Sequence, residues 1–255
     1  MGKQFSDVIT GAAVTAVTRA ATGTLAIPGG KGGTLKEVVV VVYPTLETIV
    51  NAGGLVEIEN GSIDWKPFQF YTPYQTCVTA GAAPVIKYNL KVKKKLPAPS
   101  TITVYYTPYD NQSQKLTVTF IWEEGSFSGP QTYIMSGIGS ALTQVTIASD
   151  HVSIAIPQEK GGVIAAIGAI ALGTLETIVN SGGLVTVKNK TEDPSPSSWY
   201  VGGATCVASG GVNVPIEFMQ YDGKIRAPDN STFTFDYTPQ DNQSQMLAAF
   251  IIWEG

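Results

Sequence analysis

The chain has 255 residues, 44% of them hydrophobic and only 14% charged, with a net charge of -4. An average domain is roughly a quarter charged, so the polar surface here must come from Ser, Thr, Asn and Gln, which suits a particle or extracellular surface. The acidic balance argues against a nucleic-acid partner, which would need a basic face.

In chain order, residues 1–22 read as a polar, Thr-rich arm, too short for a domain. Asp7 and Arg19 bracket a weakly apolar stretch, so no secretory leader is legible. Strand candidates lie at 13–20, 23–28, 35–43, 54–60, 68–72, 84–92, 101–107 and 115–123, bounded by Gly, Pro, Asn or Asp. The single helical candidate is PTLETIVNAGG from Pro44, with Thr45 as cap and Gly53–Gly54 as stop. Lys91, Lys93, Lys94 and Lys95 read as a solvated edge strand, where lysine blocks unwanted pairing.

The second half repeats the first. TLETIVNAGGLV at 45–56 returns as TLETIVNSGGLV at 174–185, and IPGGKGG from Ile27 returns as IPQEKGG from Ile156. After a two-residue gap, YTPYDNQSQ from Tyr106 returns as YTPQDNQSQ from Tyr237, and FIWEEG is answered by IIWEG at the end of the chain. A period this long is a whole domain rather than a solenoid repeat of roughly 20–50 residues. The expected organisation is a first domain over 1–125 with an arm at 1–22, and a second over 126–255 with a linker at 126–150. The apolar run VIAAIGAIAL (163–172) answers TLKEVVVVVY (34–43), whose valines favour strand, so both are expected as buried strands. Cys77 and Cys206 fall on equivalent positions and read as buried free thiols. Eight strands per copy predict an all-β protein of two tandem eight-stranded jelly-roll sandwiches.

Catalytic apparatus is not legible. His151 is the only histidine and reads as solvated; copy one has none, so no nucleophile–histidine pair can be built there. IPGGKGG lacks phosphate-loop spacing and the Ser or Thr after its lysine. Asp110, Asn111 and Gln112, with Asp241, Asn242 and Gln243, sit where a turn is the simpler reading than a calcium loop. No catalytic residue, metal or cofactor is expected. Five of the nine asparagines satisfy the N-glycosylation pattern: Asn60, Asn111, Asn189, Asn230 and Asn242. They are expected on strand-end loops, exposed.

Two tandem eight-stranded sandwiches without enzyme apparatus resemble the double jelly-roll major capsid proteins, the lineage of adenovirus hexon, tailless phages and turreted archaeal icosahedral viruses. The resemblance covers the whole chain, is architectural, and assigns no functional residue. It implies a virion protein whose partners are itself, as a homotrimer in a capsid lattice, and other virion proteins. The chain itself has no basic arm, so no direct nucleic-acid contact is expected and an inner membrane or another protein would line the particle. Its most apolar run, 163–172, is about half the length a membrane helix needs, so no membrane-spanning segment is expected. Two other readings fit the composition. One is an extracellular filament or surface-layer subunit; the other is a carbohydrate-binding module stacking sugars on Trp65, Trp199 and Tyr200, with Trp122 and Trp253 in the core.

Overall fold

The computed structural model describes residues 2–255 except 45–49, 73, 78–85, 110, 112, 174–179, 191–192, 206–211, 215–216, 221–224 and 243. The described residues form strands and turns. Copy one contains β1 (Gln4–Thr10), β2 (Ala20–Ile27), β3 (Gly33–Pro44), β4 (Val50–Ala52), β5 (Gly54–Asn60), β6 (Gln69–Tyr71), β7 (Tyr74–Cys77), β8 (Ile86–Leu96), β9 (Ser100–Pro108) and β10 (Gln114–Glu124). Copy two contains β11 (Thr132–Ile138), β12 (Ala148–Ala155), β13 (Gly162–Gly173), β14 (Asn180–Asn189), β15 (Asp193–Thr205), β16 (Val212–Val214), β17 (Glu217–Gln220), β18 (Arg226–Ala227), β19 (Thr232–Pro239) and β20 (Gln245–Glu254).

Eight strands of copy one make two facing sheets, β1-β10-β3-β8 and β2-β9-β5-β6; copy two repeats them as β11-β20-β13-β17 and β12-β19-β14-β15. The protein is therefore two tandem jelly rolls, as expected. A small third sheet, β16-β7-β4, adds a strand of copy two to copy one. Residues 45–49 and 174–179 of the helical candidate and its repeat lie outside the described residues, but the following residues, expected to complete the helical turn, are strand: β4 in the first copy and the start of β14 in the second.

The predicted arm is part of the first sandwich. β1 pairs in register with β10 from Gln4↔Glu123 to Thr10↔Thr117, and Phe5 stacks on Trp122 at 5.4 Å. Its counterpart β11, inside the expected linker, pairs with β20 in the same way. The strand predicted at 13–20 is instead a corner, touching the sheet only through the Val14–Gln114 bridge. Sequence patterning misled here because β1 turns the polar Asp7 inward with Phe5 and Ile9 and leaves Val8 57% exposed. That inverts the alternation that marks a half-buried strand.

Each long repeated motif has a structural job. Tyr106 Oη donates to Gln114 Oε1 (2.8 Å), which also accepts from the Gly53 amide (3.0 Å); Tyr237, Gln245 and Gly182 repeat this at 2.7 and 2.9 Å. The Tyr and final Gln of YTPxDNQSQ thus clamp the diglycine of TLETIVNxGG. In IPxxKGG the last glycine lets two backbones approach closely. A Cβ on Gly33 would lie 2.0 Å from the Glu123 carbonyl oxygen, and one on Gly162 would lie 1.9 Å from that of Glu254. The lysine of the same motif lies over an aromatic ring of the first strand, Lys31 over Phe5 and Lys160 over Tyr133, each at 5.3 Å.

Where the copies differ, packing explains it. β3 alternates buried and half-buried residues along its valine run, whereas β13 is buried almost throughout. Ile164, Ile167, Ala169 and Ala171 face the core of the second sandwich, while Ala166, Ile170 and Leu172 face the first. A strand covered on both sides reads as a continuous apolar run, which is why VIAAIGAIAL replaced TLKEVVVVVY. Gly168 belongs to this packing: a Cβ there would meet the Phe250 ring at 2.1 Å.

Candidate functional site

The junction between the sandwiches is the most built feature of the molecule. The outer face of β11-β20-β13-β17 lies against the β6 flank of the first sandwich, and Ile134, Phe250 and Ile252 merge into that sandwich's core. Phe68 and Ile134 form a parallel bridge, and the Ile134 amide donates to the Pro67 carbonyl (3.1 Å). Ser136 Oγ donates to the Gln69 carbonyl (2.9 Å) and Gln69 Nε2 returns a bond to the Ser136 carbonyl (3.3 Å). The edge strand β8 is held too: the Lys93 amide donates to Thr132 Oγ1 (2.8 Å) and the Lys95 amide to Gln131 Oε1 (3.2 Å).

The lysine run therefore does not simply face solvent. Lys91 is exposed and ion-paired with Glu37, but Lys94 is fully buried in the junction. Its ammonium donates to the Trp65 carbonyl (2.9 Å) and lies 4.0 Å from the Tyr133 ring centroid and 5.5 Å from that of Phe68. Burial, reinforced by the nearby charge of Lys160, pushes its pKa down to about 7, with Asp64 opposing. Lys160 in turn pairs with Asp64 (3.2 Å). Burial alone would push Asp64 up, but the Lys66 amide and the Lys160 ammonium outweigh it and hold Asp64 below the usual carboxylate range.

A cleft of about 470 Å³ opens beside this junction, lined by Glu57, Glu59, Asp64, Lys66, Gln69 and Lys160 among others. Its carboxylates are all engaged. Arg19 bonds Glu57 (2.8 Å) and Glu59 (2.9 Å), Lys66 pairs with Glu59 (3.0 Å), and Lys160 holds Asp64. These ion pairs tie Arg19, Lys66 and Lys160 to the carboxylates along this flank. Among the described residues no group of three His, Cys, Asp or Glu side chains is positioned to hold a metal ion.

The predicted glycosylation sites separate into two kinds. Asn111, Asn230 and Asn242 are exposed, as expected. Asn60 (9% exposed) and Asn189 (7%) are buried. Asn60 shows why: its Oδ1 accepts from the amides of Ser62 (2.8 Å) and Ile63 (3.3 Å) and its Nδ2 donates to Ser100 Oγ (3.2 Å). The side chain closes the turn after β5, a use of Asn that the glycosylation pattern does not distinguish. Trp65 is 1% exposed and its indole donates to the Lys95 carbonyl (2.8 Å), so it offers no face to a sugar. Trp199 is half-buried and Tyr200 is 74% exposed, while Trp122 and Trp253 are core residues as expected. His151 is half-buried, with its ring against Gly139 and near Tyr237, and burial lowers its pKa. The side chains of Cys77 and Cys206 lie outside the described residues.

The sequence reading missed a further repeat. With the strand pairings as guide, GAAVTAVTRA from Gly11 matches GSALTQVTIA from Gly139, an offset of 128 rather than 129. This corner exposes Val17 and Val145 equally, at 52% each. The signal was present, hidden by a single-residue change of offset.

No family profile and no curated protein matches the sequence. Solved structures do. A chain of the Sulfolobus turreted icosahedral virus aligns with a TM-score of 0.50 and 11% identity over 99% of this chain and 91% of its own. PNGase F, a glycosylasparaginase from Flavobacterium meningosepticum, aligns with a TM-score of 0.49 and 10% identity over 98% and 96%. The major capsid protein P2 of bacteriophage PM2 aligns at 0.38 and 12% identity over 98% of both chains. At 11% identity the likeness to the chain of the turreted virus is one of fold, the tandem jelly roll.

Proposed function

We propose that this protein is a major capsid subunit that assembles with itself, as a homotrimer, into an icosahedral virion shell. The observation that carries the reading is the junction. Two duplicated sandwiches are locked into one unit by a shared apolar core rather than tethered by a linker, and the fold matches a chain of an icosahedral virus from end to end. Three such units give a ring of six nearly equivalent sandwiches, a shape that tiles a hexagonal lattice, and closed cyclic symmetry is the norm for soluble oligomers. The net charge of -4 leaves the genome to other components, so a membrane or other virion proteins line the shell. Exposed Asn111, Asn230 and Asn242 are the glycan acceptors where the host supplies the machinery.

The amidase reading has one feature in its favour, an acidic cleft between domains. Its carboxylates are already bonded to Arg19, Lys66 and Lys160, which favours the structural role. Light scattering and electron microscopy of the purified full-length protein test the proposal. A particle three times the 26.9 kDa of one chain, growing into closed shells, is expected. A monodisperse monomer at high concentration, or release of glycan from a glycopeptide, would overturn it.

A further inference from the structure

The two copies diverge on the outer face of the sheet that carries the edge strands β6 and β15. In copy one this face is closed by its own side chains. Strand register puts Leu55 beside Tyr71 and Glu57 beside Gln69. Tyr109 stacks on the Tyr71 ring (5.7 Å, 9° between planes) and its hydroxyl donates to the Thr72 carbonyl (3.0 Å). Arg19 lies over the Tyr105 ring at 3.4 Å and bonds Glu57 and Glu59. Copy two keeps the same backbone. Leu184 pairs with Tyr200 and Thr186 with Ser198, and the Gln240 amide donates to the Gly182 carbonyl as the Tyr109 amide does to that of Gly53, both at 2.9 Å. The side chains that closed the face have changed: Gln240 stands for Tyr109, Ile147 for Arg19, Thr186 for Glu57 and Ser198 for Gln69. Tyr200 is consequently 74% exposed and Ile147 68%, the two highest values among the large hydrophobic side chains described.

We propose that the outer face of β12-β19-β14-β15, with Tyr200 as its platform, binds a neutral oligosaccharide lying across the strands. Copy one shows what covers this ring: a flat ring stacked on its face, carrying a hydroxyl that reaches the main chain of the next residue. A pyranose has both features, hydroxyls around its rim and an apolar face of C–H groups, which the electron-rich face of an aromatic ring attracts. Hydrogen-bond partners stand beside the platform, where the surface hydroxyls of Thr186 and Ser198 lie 2.8 Å apart. An apolar contact with a few placed polar groups is the usual make-up of a small-ligand site. The ionic side chains of this face are paired with one another, Lys188 with Asp236 and Lys190 with Asp150. A neutral sugar therefore suits the face better than one carrying carboxylate or sulfate. Ile147 immediately precedes β12, three strand spacings or about 14 Å from Tyr200 across the sheet, a span for an oligosaccharide rather than a single sugar. A protein anchor fits less well, because such anchors sit at the centre of a patch sealed from water, whereas Tyr200 stands on an edge strand with hydroxyls beside it. On a shell subunit this adds recognition of a glycan surface to the mechanical role, and it does not depend on that role.

Saturation-transfer NMR on the full-length protein tests this, with cellohexaose, mannohexaose, maltohexaose and chitohexaose as probes. Transfer to the ring protons of at least one is expected, retained in Tyr200→Phe and lost in Tyr200→Ala. Gln240→Tyr, which rebuilds the copy-one cover, should lose it too. Tyr200 and Gln240 are exposed, so none of these variants should lower the urea midpoint. Transfer to none of the probes overturns the proposal. So does transfer that survives both Tyr200→Ala and Gln240→Tyr, which puts the sugar elsewhere on the molecule. N-acetyltyrosinamide serves as the probe for a protein partner: transfer to it that Tyr200→Ala removes, with none to the sugars, identifies a protein-docking site and overturns the sugar assignment. Light scattering reads assembly separately. A trimer that binds no sugar overturns this proposal and leaves the capsid reading standing, whereas a monomer that binds sugar through Tyr200 overturns the capsid reading alone.

Discussion

Lys94 makes the junction sensitive to pH in a calculable way. Its ammonium is fully buried, and its pKa falls from an ordinary 10.5 to about 7 through desolvation and, secondarily, Lys160. Below pH 7 both folded and unfolded chains carry the proton, and the folded state bears the whole cost of a buried charge. Between pH 7 and 10.5 the unfolded chain holds a proton that the folded protein does not, so stability rises with pH. The slope approaches about 1.4 kcal/mol per pH unit, which amounts to ~2–3 kcal/mol between pH 7.5 and 9.5. Lys94→Met removes the titrating group while keeping an apolar stem of similar length. The expected result is loss of that rise. The slope is the diagnostic, because removing the donor to the Trp65 carbonyl costs ~1–3 kcal/mol at every pH. Urea unfolding followed by tryptophan fluorescence at pH 7.5, 8.5 and 9.5 reads it directly. Other shifted groups stay out of the window. Burial lowers His151, so it titrates below it; burial raises Tyr71, to about 12, and Tyr237, so both lose stability only as pH passes the ordinary tyrosine value. Parallel stability profiles for the wild type and Lys94→Met would refute the reasoning.

Phe250→Ala empties the junction between the sandwiches and should cost ~3–5 kcal/mol in denaturant unfolding, whereas Ile121→Ala, at the partly exposed equivalent sheet face of copy one, should cost far less. Gly168→Val places a side chain into the Phe250 ring and should destabilise by ~1–3 kcal/mol, read as a shift in the urea midpoint. Tyr237→Phe removes the clamp on Gln245 and Gly182 and should cost ~1–2 kcal/mol, with Tyr106→Phe matching it in the other copy. Expression in a glycosylating host followed by peptide mass mapping should find glycan at Asn111, Asn230 or Asn242 and none at Asn60 or Asn189; modified Asn60 in folded protein would contradict its role in closing the turn.

The duplication, the all-β class, most strands and the core positions of Trp122 and Trp253 were legible in the chain itself. Each is set by local pattern: alternation fixes a strand's inner face, turn residues bound it, and a repeat forces two segments to share a fold. Local pattern failed at β1, where Asp7 points inward and Val8 outward, at Asn60, whose side chain closes the following turn instead of facing solvent, and at Asn189, which is buried at the equivalent strand end. It failed most at Lys94, which looks like any lysine of an edge strand until the second sandwich covers it. Those outcomes depend on which surfaces the two copies bury against each other. A sheet face turned to solvent and one turned to a neighbour obey the same alternation, and only the tertiary contact decides which of them loses its water.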